Sequence, residues 1–192
     1  MSKSYKARTK SGKAFEAELL NTFRAYKQRL GDSFWFHRIP DSYDYARNWC
    51  PKCKKGFVNN FLSIRNPSDL VLVYDGEPIF VEAKSSISSR YRLEWVKPHQ
   101  ISSLIEIKRA GGHGFFFISY RASLMSKRHP TEVRIYDNNK MWAVSPEYLK
   151  GKVDEGTASL SWLEIASNGI EILRAGNVWE IDTLLRRVVE TP

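Results

Sequence analysis

The sequence predicts a single α/β domain in which a central mixed β-sheet is flanked by helices. Three observations support this fold class. The chain has 192 residues, a length that suits one compact domain. Its hydrophobic fraction of 42% is sufficient for a sizeable core. Amphipathic helical stretches also alternate with short apolar runs of strand length, which is the pattern of a sheet covered by helices.

The N-terminal part is predicted to contain a basic arm and then the first helix. Residues 1–10 carry several basic residues and no acidic one, so we expect a flexible arm that contacts polyanions. Ser11 is suited to cap a helix that ends before Gly31, and no linker divides residues 11–192. The apolar stripe of this helix recurs at helical spacing through Phe15, Leu19, Phe23, Tyr26 and Leu30.

The middle of the chain is predicted to contain three strands and a long insertion. Residues 34–39 have the pattern of a strand. Residues 40–65 are irregular, basic and aromatic, and they are too long for an ordinary connection, so we interpret them as an insertion or a stalk-like loop. Residues 69–74 and 79–84 are predicted to form a hairpin around Asp75-Gly76, a dipeptide typical of two-residue turns.

The C-terminal half continues the alternation of helices and strands. A helix is predicted to open near Pro98 and to end at Gly111-Gly112. Residues 114–120 form a nearly continuous apolar run, which is typical of a buried central strand. The remaining predicted elements are a hairpin from residues 133–136 and 141–144, a short helical turn from Ser145 and an amphipathic final helix from Asp182.

The composition favours a nucleic-acid partner. Lys and Arg number 30 against 21 Asp and Glu, which gives a formal net charge of +9. An excess of this size attracts polyanions, and nucleic acid is the commonest one for a soluble protein. No apolar run approaches the ~20 residues that a membrane span needs, and Cys50 and Cys53 are too few for a disulfide framework. We therefore expect a cytoplasmic protein that does not enter a membrane.

The predicted hairpin brings two carboxylates together. With a two-residue turn at Asp75-Gly76, counting outward from the turn places Asp69 directly opposite Glu82, with their Cβ atoms ~4.5–5.5 Å apart. Side chains alternate along a strand, so Lys84 shares the face of Glu82. A four-residue loop, which the awkward position of Pro78 would favour, pairs Asp69 with Lys84 and keeps all three side chains on one face. An odd-length loop would separate them.

This arrangement has a chemical interpretation and a simpler one. Facing carboxylates repel each other unless a cation lies between them, and Mg²⁺ accepts one or two protein carboxylates together with water and substrate phosphate. Such an ion would polarise a phosphodiester and supply a hydroxide near neutral pH, while Lys84 would stabilise charge that develops on the phosphate. The simpler interpretation is a surface strand with a Glu–Lys pair. Glu82 and Lys84 alone favour the simpler one, and adding Asp69 makes the two equal.

Two further polar residues are candidates for the same site. Glu16 lies on the first helix beside its apolar stripe, which could hold it near the edge of the sheet. Gln100 lies at the start of the helix that follows the hairpin, with a side-chain oxygen able to join or orient a ligand shell. Taken singly, each is more often a solvated helix residue than a metal ligand.

The ordered series of motifs resembles a known family. Residues 12–172 are similar to the PD-(D/E)XK nuclease superfamily and more closely to the Holliday junction resolvases of the RecU type, while Gly12 with Glu16 resembles the archaeal type. One departure is Pro67, which stands where the RecU type tends to have a hydroxyl residue; Ser68 could replace it. The motifs that match are Asn66-Pro67-Ser68-Asp69, Phe80-Val81-Glu82-Ala83-Lys84-Ser85, His99-Gln100-Ile101, Gly111-Gly112, Ser145-Pro146-Glu147-Tyr148-Leu149 and Leu160-Ser161-Trp162-Leu163.

The resemblance implies a restriction-endonuclease-like fold and a homodimer that binds branched DNA and cuts four-way junctions by paired nicks. Mg²⁺ or Mn²⁺ is the implied cofactor. The family also carries a stalk inserted into the domain, and residues 40–65 stand in roughly that place. A nuclease for duplex, flap or single-stranded DNA and a non-catalytic DNA-binding scaffold of the same fold remain alternatives. The implied metal-associated residues are Asp69, Glu82, Gln100 and Glu16, and the implied catalytic residues are Asp69, Glu82, Lys84 and Glu16.

Basic residues around this pattern are candidates for contact with DNA phosphates, although a solvated basic face is the ordinary reading. Those in residues 40–65 lie among aromatic side chains, a mixture that suits stacking on unpaired bases but equally fits a small satellite core. Cys50 and Cys53 resemble half of a zinc knuckle, yet a structural zinc site usually has four ligands, so we favour free thiols over zinc. The candidates for DNA binding are Lys10, Lys13, Arg47, Lys52, Lys54, Lys55, Arg90, Arg92 and Lys97.

Overall fold

A computed structural model describes residues 3–40, 48–49, 56–57, 66–122 and 138–190, with the backbone alone described for residues 3–11, 48–49 and 56–57. None of the described helices is long and apolar enough to cross a membrane. In chain order the elements are α1 (Lys3–Leu30), β1 (Phe34–Arg38), β2 (Asn48–Trp49), β3 (Gly56–Phe57), β4 (Leu70–Tyr74), β5 (Glu77–Ser86), β6 (Arg90–Arg92), α2 (Pro98–Arg109), β7 (His113–Tyr120), β8 (Lys140–Val144), α3 (Pro146–Asp154), β9 (Ser159–Ser161), α4 (Trp162–Asn168), β10 (Gly169–Ala175), β11 (Val178–Glu180) and α5 (Asp182–Glu190).

Within the described part of the chain, seven strands form one mixed sheet in the order β1-β4-β5-β7-β8-β10-β11. Strands β5 and β7 are parallel, and the other neighbours in this sheet are antiparallel. Helix α2 lies between β5 and β7 in the chain, because a parallel pair needs a crossover connection. Two short pairs, β2 with β3 and β6 with β9, stand apart from this sheet. The predicted fold class, a central mixed sheet flanked by helices, is confirmed.

Helices cover both faces of the sheet and give two separate hydrophobic clusters. Helices α1 and α5 pack on one face, where Leu19 and Leu184 are fully buried. Helices α2, α3 and α4 pack on the other face, where Leu104 and Trp162 join the second cluster. The domain therefore has three layers, helices, sheet and helices, and the amphipathic stripes of the sequence account for them.

The predicted hairpin has the predicted register. Tyr74 pairs with Glu77, and Leu70 pairs with Val81, so the four-residue loop is excluded. The two turn residues both have positive φ, 48° at Asp75 and 89° at Gly76, as a type I′ turn requires. Two-residue alternation then places Glu82 and Lys84 on the sheet face that α2 covers.

Helix α1 differs from its predicted start. It begins at Lys3 rather than after Ser11, so residues 3–10 form its first turns. These residues include good helix formers and no proline, which favours extension of the helix towards the N-terminus. The helix ends as predicted at Gly31, which has a φ of 60°. The flexibility of residues 1–10 remains a prediction.

Several predictions concern residues outside the described part of the chain. They include the strand at residues 133–136 and most of the insertion. Two residues at the limits of this gap are described: the Asn66 amide Nδ2 donates to the Pro40 carbonyl at 2.7 Å. The candidate side chains that lie outside the described residues are those of Lys10, Arg47, Cys50, Lys52, Cys53, Lys54 and Lys55.

Candidate active site

Asp69 immediately precedes β4 and is tied to the strands on both sides. Its amide donates to the Val81 carbonyl at 3.1 Å, and its carbonyl accepts a hydrogen bond from the Ile39 amide at 2.9 Å. Its carboxylate Oδ2 accepts a hydrogen bond from the Ala83 amide at 2.8 Å. Asp69 therefore continues the β4–β5 ladder with its side chain, and the carboxylate lies beside Glu82.

Glu82 is a buried acid with charged and polar neighbours. It is only 2% exposed, and burial of an unpartnered carboxylate is strongly unfavourable. Its Oε1 accepts hydrogen bonds from Lys84 Nζ at 2.7 Å and from the Gln100 side-chain amide. The Lys84 side chain is 20% exposed. Lys84 therefore connects the buried acid to solvent.

The pKa of Glu82 is raised well above its usual range. Burial is the largest cause, and the negative charge of Asp69 is the second. Lys84 lowers the pKa but does not overcome the other two effects. A buried carboxyl group next to another carboxylate loses its proton more readily when a cation lies between them. The donor set of hard oxygens and its electrostatics thus fit a divalent metal ion.

Gln100 lies in the first turn of α2 and contacts Glu82 through its nitrogen. Its Nε2 donates to Glu82, and its Oε1 accepts a hydrogen bond from the Lys97 amide at 3.1 Å. The side-chain oxygen thereby satisfies one of the free amides at the start of the helix. We therefore interpret Gln100 as a residue that orients Glu82. The predicted contact of its oxygen with a metal remains a prediction.

Glu16 approaches this region from the layer of α1. Its carboxylate lies 3.4 Å from Arg38, which ends β1, and the next residue, Ile39, donates to the Asp69 carbonyl. Within the described parts of the chain, no group of three or more His, Cys, Asp or Glu side chains is close enough to hold a metal ion. The structure thus brings Asp69 and Glu82 together but not Glu16, whose role as a further ligand remains a prediction.

The candidate residues lie at one edge of the sheet. Strand β4 is antiparallel to both β1 and β5, so the ends of β1 and β5 and the start of β4 meet at the same edge. Arg38 stands at the end of β1, Asp69 at the start of β4 and Lys84 near the end of β5. Clustering of this kind at strand ends is how α/β folds build their sites.

Ser68 does not present its hydroxyl proton to this site. It is 1% exposed, and its Oγ donates to the Leu70 carbonyl at 3.0 Å. This contact fixes the turn that leads into β4. Pro67, beside it, is exposed. The hydroxyl contact expected two residues before the aspartate is therefore not supplied by either residue.

The described basic candidates are exposed but differ in their partners. Arg90 donates to Ser159 and lies 3.7 Å from Glu164. Arg92 lies 3.3 Å from Glu94. Lys13 and Lys97 are also exposed. Contact of these four side chains with DNA remains a prediction.

Comparison with known proteins identifies the family. The model of the family described as "Recombination protein U", RecU, matches residues 10–178 of the chain, which is most of its length. The chain belongs to the RecU family. RecU proteins are Holliday junction resolvases, so this chain is an endonuclease that acts on branched DNA. The resemblance predicted from the motifs is confirmed.

One similar solved structure is Hjc, a Holliday junction resolvase from Archaeoglobus fulgidus. It shares 13% sequence identity with this chain at a TM-score of 0.30, and the match covers 77% of this chain and 97% of that chain. No curated protein sequence matches this chain. RecU-type nucleases generally use a divalent metal ion, which agrees with the Asp69–Glu82 pair.

Two buried polar groups near this site were not predicted from the sequence. The Tyr91 hydroxyl is fully buried and has no hydrogen-bond partner among the described residues. Burial and the charge of Glu82 raise the pKa of Tyr91. The Arg121 guanidinium is 3% exposed and pairs with Glu18. Neither residue has a local signal, because Tyr91 has the alternation of an ordinary strand and Arg121 simply follows an apolar run.

Proposed function

We propose that this RecU-family endonuclease cuts four-way DNA junctions by metal-dependent hydrolysis at the Asp69–Glu82 pair. The observation that carries the proposal is the position of these two acids beside Lys84 at one edge of the sheet. Burial, and secondly the nearby charge of Asp69, raise the pKa of Glu82, and a bound cation would stabilise the ionised form of this acid beside Asp69. An acid pair with an adjacent ammonium group is suited to phosphodiester hydrolysis.

Asp69 and Glu82 are the residues that would hold the metal, and Glu16 is the proposed third acid. Mg²⁺ is the proposed ion and Mn²⁺ a substitute, because both are bound by carboxylate oxygens. When bound, the ion supplies a polarised phosphodiester and a water of lowered pKa. Asp69 precedes β4, Glu82 lies on β5, and Glu16 lies on α1, 3.4 Å from Arg38 at the end of β1.

Neighbouring groups would orient the two acids and stabilise charge on the substrate. Lys84 would exchange its contact with Glu82 for the scissile phosphate, where its charge stabilises the negative charge that develops during cleavage. Gln100 would keep Glu82 oriented, since its amide stays bonded to the carboxylate and to the start of α2. Asp69 keeps its position because the Ala83 amide holds one of its oxygens.

Paired nicks require two active sites on one junction, so we propose a homodimer. Residues 40–65 are the proposed insertion, and their basic and aromatic residues would contact branched DNA. The hydrogen bond from Asn66 to the Pro40 carbonyl supports a position near the site, because Asn66 lies three residues before Asp69. The cytoplasm is the proposed location of this DNA-processing protein.

The test offers labelled four-way junctions, flaps and plain duplex to the wild type and to Asp69→Asn with Mg²⁺ or Mn²⁺. We expect paired, symmetrical nicks in the junction, lost in Asp69→Asn while junction binding remains. Glu77→Gln serves as the control, because Glu77 is an acid at the start of β5, away from Asp69 and Lys84. Equal cutting of plain duplex would contradict junction selectivity, and absence of cutting with either metal would contradict metal-dependent hydrolysis.

Mixed dimers test the pairing of the two sites. Wild-type and Asp69→Asn chains with different affinity tags can be purified together as heterodimers. The proposal predicts that such heterodimers nick one strand of each junction and leave the other intact. A chain that sediments as a monomer on junction DNA and still makes paired nicks would contradict the homodimer.

A further inference from the structure

Arg121 is a buried cation that the proposed hydrolysis does not use. Its two terminal nitrogens both donate to the Glu18 carboxylate, Nη1 at 2.7 Å. Its guanidinium lies 5.7 Å from the centre of the Phe15 ring. Its Nε is buried without a hydrogen-bond partner among the described residues. The forked contact joins α1 to the end of β7.

Stability alone does not explain this pair. Desolvation of two charges offsets much of their attraction, and replacing a buried ion pair by well-packed apolar residues is often neutral or stabilising. The buried Nε–H of Arg121 adds a further unfavourable contribution, because it gives up water without gaining a partner among the described residues. A polar contact that adds little stability is expected where a functional site needs its side chains in fixed positions.

The pair lies at the edge of the sheet that carries the acids. The Arg121 amide donates to the Ser86 carbonyl at 2.8 Å, and Ser86 is two residues beyond Lys84 on β5. Arg121 therefore ties together the end of β5, the end of β7 and helix α1. The guanidinium is on the α1 side of the sheet, as its contact with Phe15 shows.

Helix α1 is held at this edge from both flanks. Residues two apart in a helix point in nearly opposite directions, and Glu16 and Glu18 accordingly contact different strands. Glu16 pairs with Arg38 of β1 at 3.4 Å, with both side chains partly exposed. Glu18 pairs with the buried Arg121. The pKa of Glu18 is lowered because Arg121, with help from Arg174 and Trp179, overcomes the opposing effect of burial, so Glu18 is an anion.

We propose that Arg121 is a positioning residue, whose forked contact with Glu18 sets the rotation and height of α1 and thereby fixes the position of Glu16 at the end of β1, at the sheet edge that carries Asp69 and Glu82. The inference rests on the proposed function, in which Glu16 is the third acid of the metal site. Arg121 itself touches neither substrate nor metal. It acts through the helix, because Glu16 and Glu18 are on the same rigid turn of α1.

The first test replaces the pair by apolar residues of similar size, Glu18→Leu with Arg121→Met. We expect a folded protein with an unchanged or higher Tm. Its affinity for Mn²⁺, measured from the electron paramagnetic resonance signal of free Mn²⁺, is expected to fall about tenfold, as when the support of a metal ligand is lost. For junction cleavage, kcat should fall while KM remains unchanged. Wild-type Mn²⁺ affinity and kcat in this variant would overturn the proposal.

A second variant covers the case in which the double replacement does not fold. Arg121→Lys keeps the charge but loses the fork, and it is expected to weaken Mn²⁺ binding in the same direction. Asp182→Asn is the matched control, because Asp182 bonds to Tyr26 and Arg29 near the other end of α1. This control should lower Tm without changing Mn²⁺ affinity. Equal loss of Mn²⁺ affinity in Asp182→Asn and in the Arg121 variants would assign both pairs to stability alone.

A double-mutant cycle shows whether Arg121 acts through Glu16. In a Glu16→Gln background, Arg121→Lys is expected to cause no further loss of Mn²⁺ affinity, because the residue that it positions is already gone. Additive losses would overturn the proposal. A wild type that binds Mn²⁺ but cuts no DNA would contradict the proposed function, and the Mn²⁺ comparison would still decide the role of Arg121. A wild type that does not bind Mn²⁺ would overturn both.

Discussion

The Asp69 carboxylate accepts a hydrogen bond from the Ala83 amide at 2.8 Å, so the proposed metal ligand also completes the ladder between β4 and β5. One oxygen is thereby fixed by the backbone of the strand that carries Glu82. Asp69 therefore has a structural role through this hydrogen bond and a proposed chemical role as a metal ligand. The two roles can be separated by substitution.

Asp69→Asn and Asp69→Ala should both abolish cleavage but differ in stability. Asparagine keeps a carbonyl oxygen that can accept from the Ala83 amide and removes the repulsion with Glu82, so we expect wild-type or higher stability. Alanine leaves that amide without its partner, which costs about 1–3 kcal/mol. Urea unfolding without metal measures the difference. Equal stability of the two variants would show that the hydrogen bond to Ala83 contributes nothing.

The stability of the metal-free protein should fall as pH rises. The folded-state pKa of Glu82 is raised above the value of about 4.3 in the unfolded chain. Its contribution is therefore fully present below that value and is lost as pH rises towards and through the folded pKa. Glu82→Gln stays neutral, so it should gain on the wild type by at least about 1.4 kcal/mol, the equivalent of one pKa unit, between pH 5 and pH 8. Parallel curves of unfolding free energy against pH for the two proteins would refute this.

Metal binding should release a proton near neutral pH. Glu82 holds its proton because it is buried and close to Asp69, whereas a bound cation requires the anion. Mn²⁺ affinity is therefore expected to increase as pH rises from 6 to 8. Calorimetric titration in two buffers of different ionisation enthalpy gives the number of protons released. Release of no proton in the wild type would mean that Glu82 is already ionised.

A feature of this site was predictable from the sequence when the residues that determine it lie close together in the chain. The Asp75-Gly76 turn is local and has one favoured geometry, so the register of the hairpin as far as Leu70 opposite Val81 was derived correctly. The motif order likewise led to the family. Arg121 was not predictable, because its partner Glu18 is 103 residues away in sequence and no local pattern indicates which strand a helix flank will meet.

For Gln100, the local sequence pattern predicted the element but not the direction of the side chain. Its place at the start of α2 follows from Pro98. Which of its two amide atoms faces the site depends on whether another group also needs its oxygen as a hydrogen-bond acceptor. The Lys97 amide takes the oxygen, and the nitrogen is left for Glu82. The sequence shows the residue and its element, while the direction of the side chain depends on tertiary contacts.

Gln100→Ala tests whether Gln100 orients Glu82. The substitution removes one of the donors to Glu82 and the acceptor for the Lys97 amide, and we expect Mn²⁺ affinity to fall about 10- to 100-fold, as for other residues that support a metal ligand. Junction binding without metal should not change. Ser102→Ala, at an exposed position of the same helix, is the control. Unchanged Mn²⁺ affinity in Gln100→Ala would leave it with only a role at the start of α2.

The exposed basic residues should differ in their contribution to DNA binding according to their present partners. Arg90 is engaged by Ser159 and lies near Glu164, whereas Lys97 forms no ion pair among the described residues. Lys97→Gln is therefore expected to reduce the slope of log K against log salt by about 0.9, the value for one phosphate contact on duplex DNA. Arg90→Gln should reduce it less, because part of its charge is already balanced. Fluorescence anisotropy with a labelled junction, across a salt series and without divalent metal, measures both slopes. A larger effect for Arg90 would show that DNA displaces its contacts with Ser159 and Glu164.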